Sequence, residues 1–152
     1  KNFDSELWEK IRENSLEKEK EYYGLISGAD NFQKSLRACR SNINNALMRD
    51  EVKVKMEDFF ESTVEQGTHV VFNPPYGERL SIGINEFYQK IGDTLKHNYQ
   101  GCSVWLISSD IENLKMIGLK PSKKIKVYNG KLECRFLRFD IYEGSKKASK
   151  QI

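Results

Sequence analysis

The sequence predicts an α/β fold, an open and largely parallel sheet that ends in an antiparallel hairpin. Three observations carry this. Short apolar runs such as Val70-Val71-Phe72 alternate with stretches whose apolar residues recur at helical spacing, such as Phe87, Ile91 and Leu95; that alternation is the pattern of strands joined by crossover helices. The run through Phe72 stops at Asn73-Pro74-Pro75, and prolines cannot donate to a strand ladder. Near the carboxyl terminus, Asn129-Gly130 separates two strand-like runs, a strong hairpin signal.

At 152 residues the chain is long enough for one domain, which would bury roughly 70% of its unfolded surface. Charged residues make up 31% and hydrophobic residues 38%, as in ordinary soluble domains. The 25 basic and 22 acidic residues give a net charge of +3, which permits a nucleic-acid partner without arguing for one. No apolar run has the length of a membrane span and no signal peptide is read, so the expectation is a cytoplasmic protein. Cys39, Cys102 and Cys134 are scattered, and are expected to be buried, reduced thiols; no metal site is expected from their spacing.

In chain order, Phe3 to Glu21 has a helical stripe of Phe3, Leu7, Trp8 and Ile11, with Asp4 or Ser5 as its cap, and reads as a helix covering a sheet. Tyr22 to Asp30 reads as a short buried strand with an acid at its carboxyl end, followed by a helix from Asn31 to about Leu47 whose inner face is Phe32, Leu36, Cys39, Ile43 and Leu47. Val52, Val54 and Met56 alternate in a half-buried strand that leads to Asp58-Phe59. Val70 to Phe72 reads as a buried strand. Gly77 to Gly83 reads as a loop containing Glu78 and Arg79, and Ile84 to Tyr99 as a helix. Gly101 to Ser108 is another buried strand, and Asp110 to Ile117 a short helix closed by Gly118. Lys123 to Val127 and Leu132 to Tyr142 form the hairpin, and residues 145–152 a basic tail behind a domain of residues 1–144.

The chemistry centres on Asn73-Pro74-Pro75-Tyr76. A residue before proline is held in extended geometry, so this loop is rigid and lies at the carboxyl end of a strand, where open α/β sheets place their ligands. The exocyclic amine of a nucleobase is a poor nucleophile, because its lone pair is delocalised into the ring. The Asn73 side-chain oxygen and the Pro74 carbonyl could accept both amine hydrogens and aim that lone pair at an electrophile. Tyr76 could stack on a flipped-out base, a contact worth about 1–3 kcal/mol.

Asn73 to Tyr76 matches the signature of amino-group methyltransferases that use S-adenosylmethionine. The longer run Asn-Pro-Pro-Tyr-Gly-Glu-Arg-Leu, from Asn73 to Leu80, resembles the bacterial 23S rRNA guanine-N2 methyltransferases of the RlmL type. Members of that branch are often labelled N6-adenine-specific DNA methylases. The resemblance implies a Rossmann-like class I methyltransferase sheet and S-adenosylmethionine as cofactor, with catalytic residues Asn73, Pro74, Pro75 and Tyr76. It assigns Asp30 to the ribose of the cofactor, and Asp58 and Phe59 to its adenine. From spacing alone, Asp30 could equally be a helix cap, and Asp58 and Phe59 a turn residue and a core residue. The second acid that the family often carries two residues after the ribose-binding one is replaced here by Phe32.

The family's catalytic domain normally begins with a strand and a Gly-rich turn, and no Gly-x-Gly run precedes Tyr22. The expectation is therefore a fragment lacking the first strand of the family's sheet, with unpaired edges at the gap and weak or no cofactor binding on its own. The resemblance also implies an upstream THUMP-type RNA-binding domain and ribosomal RNA as the partner. Adenine N6 of DNA or RNA is the alternative target, and a non-catalytic RNA-binding module the rival of a different class.

Overall fold

The computed structural model describes residues 2–75 and 83–143, which divide between Met56 and Glu57 into two compact units. In the first unit, helix α1 (Ser5–Leu16) is capped by Asp4, whose carboxylate accepts the Leu7 N–H at 2.9 Å. Phe3 lies just before the cap and its ring sits 6.5 Å from Trp8, the apolar pair that fixes the entry angle of a helix. No residue of α1 is buried. The stripe predicted to cover a sheet exists, but its apolar side chains face solvent.

Strand β1 (Ile26–Asp30) pairs in parallel with β2 (Val52–Met56), from Ile26 opposite Val52 to Asp30 opposite Met56. Helix α2 (Gln33–Asn45) connects them and buries Leu36. The expectation of a buried first strand fails, since Leu25 and Ile26 are exposed. Two strands with one helix leave a face uncovered. For the same reason Phe32, Cys39 and Leu47 are exposed while Ile43 is half-buried, so the predicted inner face of α2 contracts to its centre.

The second unit holds almost all of the core. Strands β3 (His69–Phe72), β4 (Ser103–Ser108), β5 (Lys123–Asn129) and β6 (Leu132–Asp140) form a sheet in the order β3-β4-β6-β5. The β3–β4 pair is parallel, and β6 runs antiparallel to both of its neighbours. Helix α3 (Ile84–Asn98) covers one face with Phe87, Tyr88, Ile91 and Leu95, against Val104 and Leu106 of β4 and Leu137 and Phe139 of β6. Phe87, Ile91 and Leu95 recur every four residues, with Tyr88 beside them, the spacing that gathers side chains into one stripe.

On the opposite face, Trp105 stacks on Phe136 at 4.7 Å and Val71 is 65% exposed. The fully buried β3 expected from its β-branched run is therefore an edge strand with one open face. The helix predicted at Asp110–Ile117 is a 3₁₀ segment, Asn113–Ile117, closed by Gly118 in the left-handed region at φ 66°. In the hairpin Asn129 is still paired, opposite Leu132, so the two-residue loop is Gly130-Lys131, with φ 61° at Gly130. It falls one residue later than the Asn-Gly reading.

Candidate functional site

β3 and β4 are parallel, and β5 runs in the same direction because it is antiparallel to β6. Three carboxyl ends therefore lie along one edge of the larger sheet: Phe72, Ser108 and Asn129. The predicted motif begins there. Asn73 is exposed, Pro74 is buried and Pro75 is exposed. Strand β3 ends at Phe72, one residue before the point the prolines impose. Among the described residues no hydrogen bond engages the Asn73 amide. Tyr76, with Glu78 and Arg79, lies outside the described residues, as does the tail at 145–152.

Asp58 and Phe59 sit beside that strand end. The Phe59 ring lies 4.7 Å from Phe72, the neighbour of Asn73, and 5.4 Å from Tyr99 in a stacked arrangement. Phe60 meets Phe59 edge-on and carries Lys90 Nζ 4.2 Å above its own ring. The aromatic cluster is tied down by Ser62, whose hydroxyl bonds Tyr99 Oη and the Phe59 carbonyl, the latter at 2.9 Å. Phe59 is therefore first a packing residue, half-buried. The structure brings Asp58, Phe59, Asn73 and Pro74 to one strand end.

Asp58 Oδ1 accepts the Phe60 N–H at 2.8 Å, and in the first unit Asp30 Oδ1 accepts the Phe32 N–H at 2.7 Å. Each aspartate thus bonds the backbone two residues on, Asp30 as the last residue of β1 and Asp58 two residues after β2. Asp30 does not cap α2: the cap residue is Phe32, which makes no side-chain bond. These turns fit a ligand that offers hydroxyls or an amine. An ionised carboxylate has about four acceptor positions, and a turn of this kind occupies one of them while fixing the group's direction.

Sequence reading missed a polar cluster at the carboxyl end of β4. Ser108, fully buried, bonds Tyr88 Oη at 2.8 Å and accepts the Asp110 N–H at 3.0 Å, while Asp110 Oδ1 accepts from Asn113 at 2.8 Å. Among the described residues Asp110 Oδ2 is buried without a hydrogen-bond partner, an arrangement native structures rarely leave unexplained. The signal was Ser108-Ser109-Asp110 at the end of an apolar strand, where Ser108 was read as the strand end and Asp110 as the start of a helix.

Residues 2–138 match the family described as RMKL-like, methyltransferase domain. The chain is 34% identical over 122 residues to a protein of Shewanella loihica named ribosomal RNA large subunit methyltransferase K/L, covering 78% of this chain and 17% of that one. It is similar in structure to SMU.472, a candidate methyltransferase complexed with SAH, at a TM-score of 0.75 and 27% identity, covering 95% of this chain and 39% of the other. A possible methylase from Clostridium difficile 630 superposes at a TM-score of 0.76 with 25% identity, again over 95% of this chain and 39% of its own. The chain therefore spans less than two fifths of the length of each of these three proteins.

Proposed function

The chain belongs to the RMKL-like methyltransferase domain family, and from that premise we propose that it is part of an enzyme that transfers a methyl group from S-adenosylmethionine to an exocyclic base amine, guanine N2 of 23S rRNA. The observation that carries this is the exposed Asn73 with Pro74 at the carboxyl end of β3, beside Asp58 and Phe59. S-adenosylmethionine, when bound, supplies an electrophilic methyl group. Asp30 would accept from the ribose hydroxyls of the cofactor and Asp58 from its adenine amine, with the Phe59 ring against the base.

Asn73 Oδ1 and the Pro74 carbonyl would accept the two hydrogens of the target amine. That contact raises electron density on the nitrogen and fixes its lone pair. Pro75 holds Pro74 in extended geometry, so little ordering entropy is lost on binding. Tyr76, next in sequence, would stack on the flipped base. The protein's contribution is orientation and preorganised polarity. A THUMP-type domain elsewhere in the protein would hold the RNA. Among the described residues no helix is long and apolar enough to cross a membrane, and a cytoplasmic location goes with a ribosomal RNA substrate.

The test is Asn73→Ala in the full-length protein. We expect methyl transfer to ribosomal RNA to fall about 100-fold or more, as when one preorganised polar group is removed, with cofactor affinity retained. Transfer at the wild-type rate would overturn the role of Asn73. Mass spectrometry of the nucleosides from RNA and DNA substrates separates guanine N2 from adenine N6.

A further inference from the structure

The β5–β6 hairpin, residues 123–140, holds six basic and two acidic side chains, in a chain whose overall totals are 25 and 22. The net positive charge is thus gathered on the β5–β6 hairpin. Strand β6 pairs with β4 only as far as Arg135 opposite Ser108, yet it pairs with β5 out to Leu132 opposite Asn129. Three further residues and the Gly130-Lys131 turn therefore project about 10 Å beyond the end of β4, at the same sheet end as Asn73. The order β3-β4-β6-β5 sets this projection about 10–15 Å to the side of β3.

The projection carries Tyr128 and Lys131, and Lys126 and Arg135 pair with each other at its base, level with Ser108. Tyr128 is 63% exposed, with Lys126 Nζ 6.0 Å from its ring centre. Glu133 lies between Lys126 Nζ at 2.8 Å and Arg135 Nη1 at 2.6 Å and holds both cations in place. Those hydrogen bonds, from Lys126 first and then Arg135, keep the Glu133 carboxyl below its usual range. Lysines on an edge strand also discourage strand addition. Lys131 in the turn and Arg135 on the inner strand β6 contribute nothing to that.

We propose that the tip of the β5–β6 hairpin is a docking surface for single-stranded RNA flanking the target base, with Lys126, Lys131 and Arg135 on phosphates and Tyr128 stacked on a base. Cations interleaved with an exposed aromatic ring are the chemistry that tracks an unpaired strand. The inference rests on the reading of this chain as part of an RNA methyltransferase.

The experiment uses the full-length protein and a fluorescein-labelled single-stranded RNA of mixed sequence, about 20 nucleotides long, followed by anisotropy from about 50 to 300 mM KCl. Lys126→Ala with Lys131→Ala is expected to weaken RNA binding roughly 10-fold at low salt and to flatten the salt slope by about 1.4, at about 0.7 per phosphate contact. Tyr128→Ala should weaken binding with the slope unchanged. The charge control, Lys10→Ala on α1 with Lys18→Ala just after it, should bind as wild type. Wild-type affinity and slope in the hairpin variants, or an equal loss in the α1 control, would overturn the docking surface while leaving the catalytic reading standing, provided the wild-type protein binds cofactor and methylates RNA. An equal loss on DNA of the same sequence would overturn RNA as the specific partner. A wild-type protein that neither binds S-adenosylmethionine nor transfers a methyl group would remove the premise itself.

Discussion

Asp30 and Asp58 serve the same backbone purpose in different units, each accepting the N–H two residues on with its Oδ1. Their position after strands was legible in the sequence, because each follows a recognisable apolar run. The local bond was not, since an aspartate after a strand can equally cap a helix. Asn73 was the most legible residue of all: two prolines leave the chain no way to continue its ladder. Phe59 was the least, because its partners Phe72 and Tyr99 lie 13 and 40 positions away in sequence. The cysteines show the same limit. All three were expected to be buried, but Cys39 is exposed while Cys102 and Cys134 are buried. Burial pushes the Cys102 thiol above its ordinary value, and the thiolate is the reactive form. Iodoacetamide should therefore label Cys39 quickly and Cys102 and Cys134 only as the protein unfolds. Peptide mass spectrometry that found equal rates at all three would contradict the described packing.

Helix α3 was readable to within a residue at its end, because the spacing of Phe87, Ile91 and Leu95 names both the period and the buried face. What stands opposite that face was not readable. Gly92 lies where the helix meets the end of the 3₁₀ segment, and a Cβ there would fall 1.8 Å from the Ile117 carbonyl oxygen. In an exposed helix Gly→Ala gains about 1 kcal/mol. Here the steric term wins, because the obstacle is backbone. Gly92→Ala should lose about 2 kcal/mol net, measured by urea denaturation. A variant as stable as wild type would mean that the helix and the 3₁₀ segment part at little cost.

The whole molecule divides its core unequally. Among the described residues every buried hydrophobic residue except Leu36 belongs to the second unit. Local stability follows buried contacts, so amides of β4, β6 and α3 should exchange with deuterium slowest, and those of β1, β2 and α2 much faster. Hydrogen-exchange mass spectrometry showing equal protection in the two units would refute this. Strand types and the hairpin were legible from apolar runs and the turn signal. The division into two sheets was expected only through the family resemblance, since no residue pattern states which strand lies beside which. Exposure of the β1 side chains was hidden for the same reason: an apolar run shows that a strand can be buried, and its cover comes from elsewhere in the fold.

The position of the hairpin turn bears on how the protein ages chemically. Asn-Gly is the dipeptide most prone to deamidation, because the glycine nitrogen can swing onto the preceding side-chain carbonyl and close a succinimide. Asn129 is still held opposite Leu132, and the turn begins only at Gly130. The pairing restrains the rotation that ring closure needs, so the strand slows conversion of Asn129 to aspartate or isoaspartate and preserves the positive balance of the surface around it.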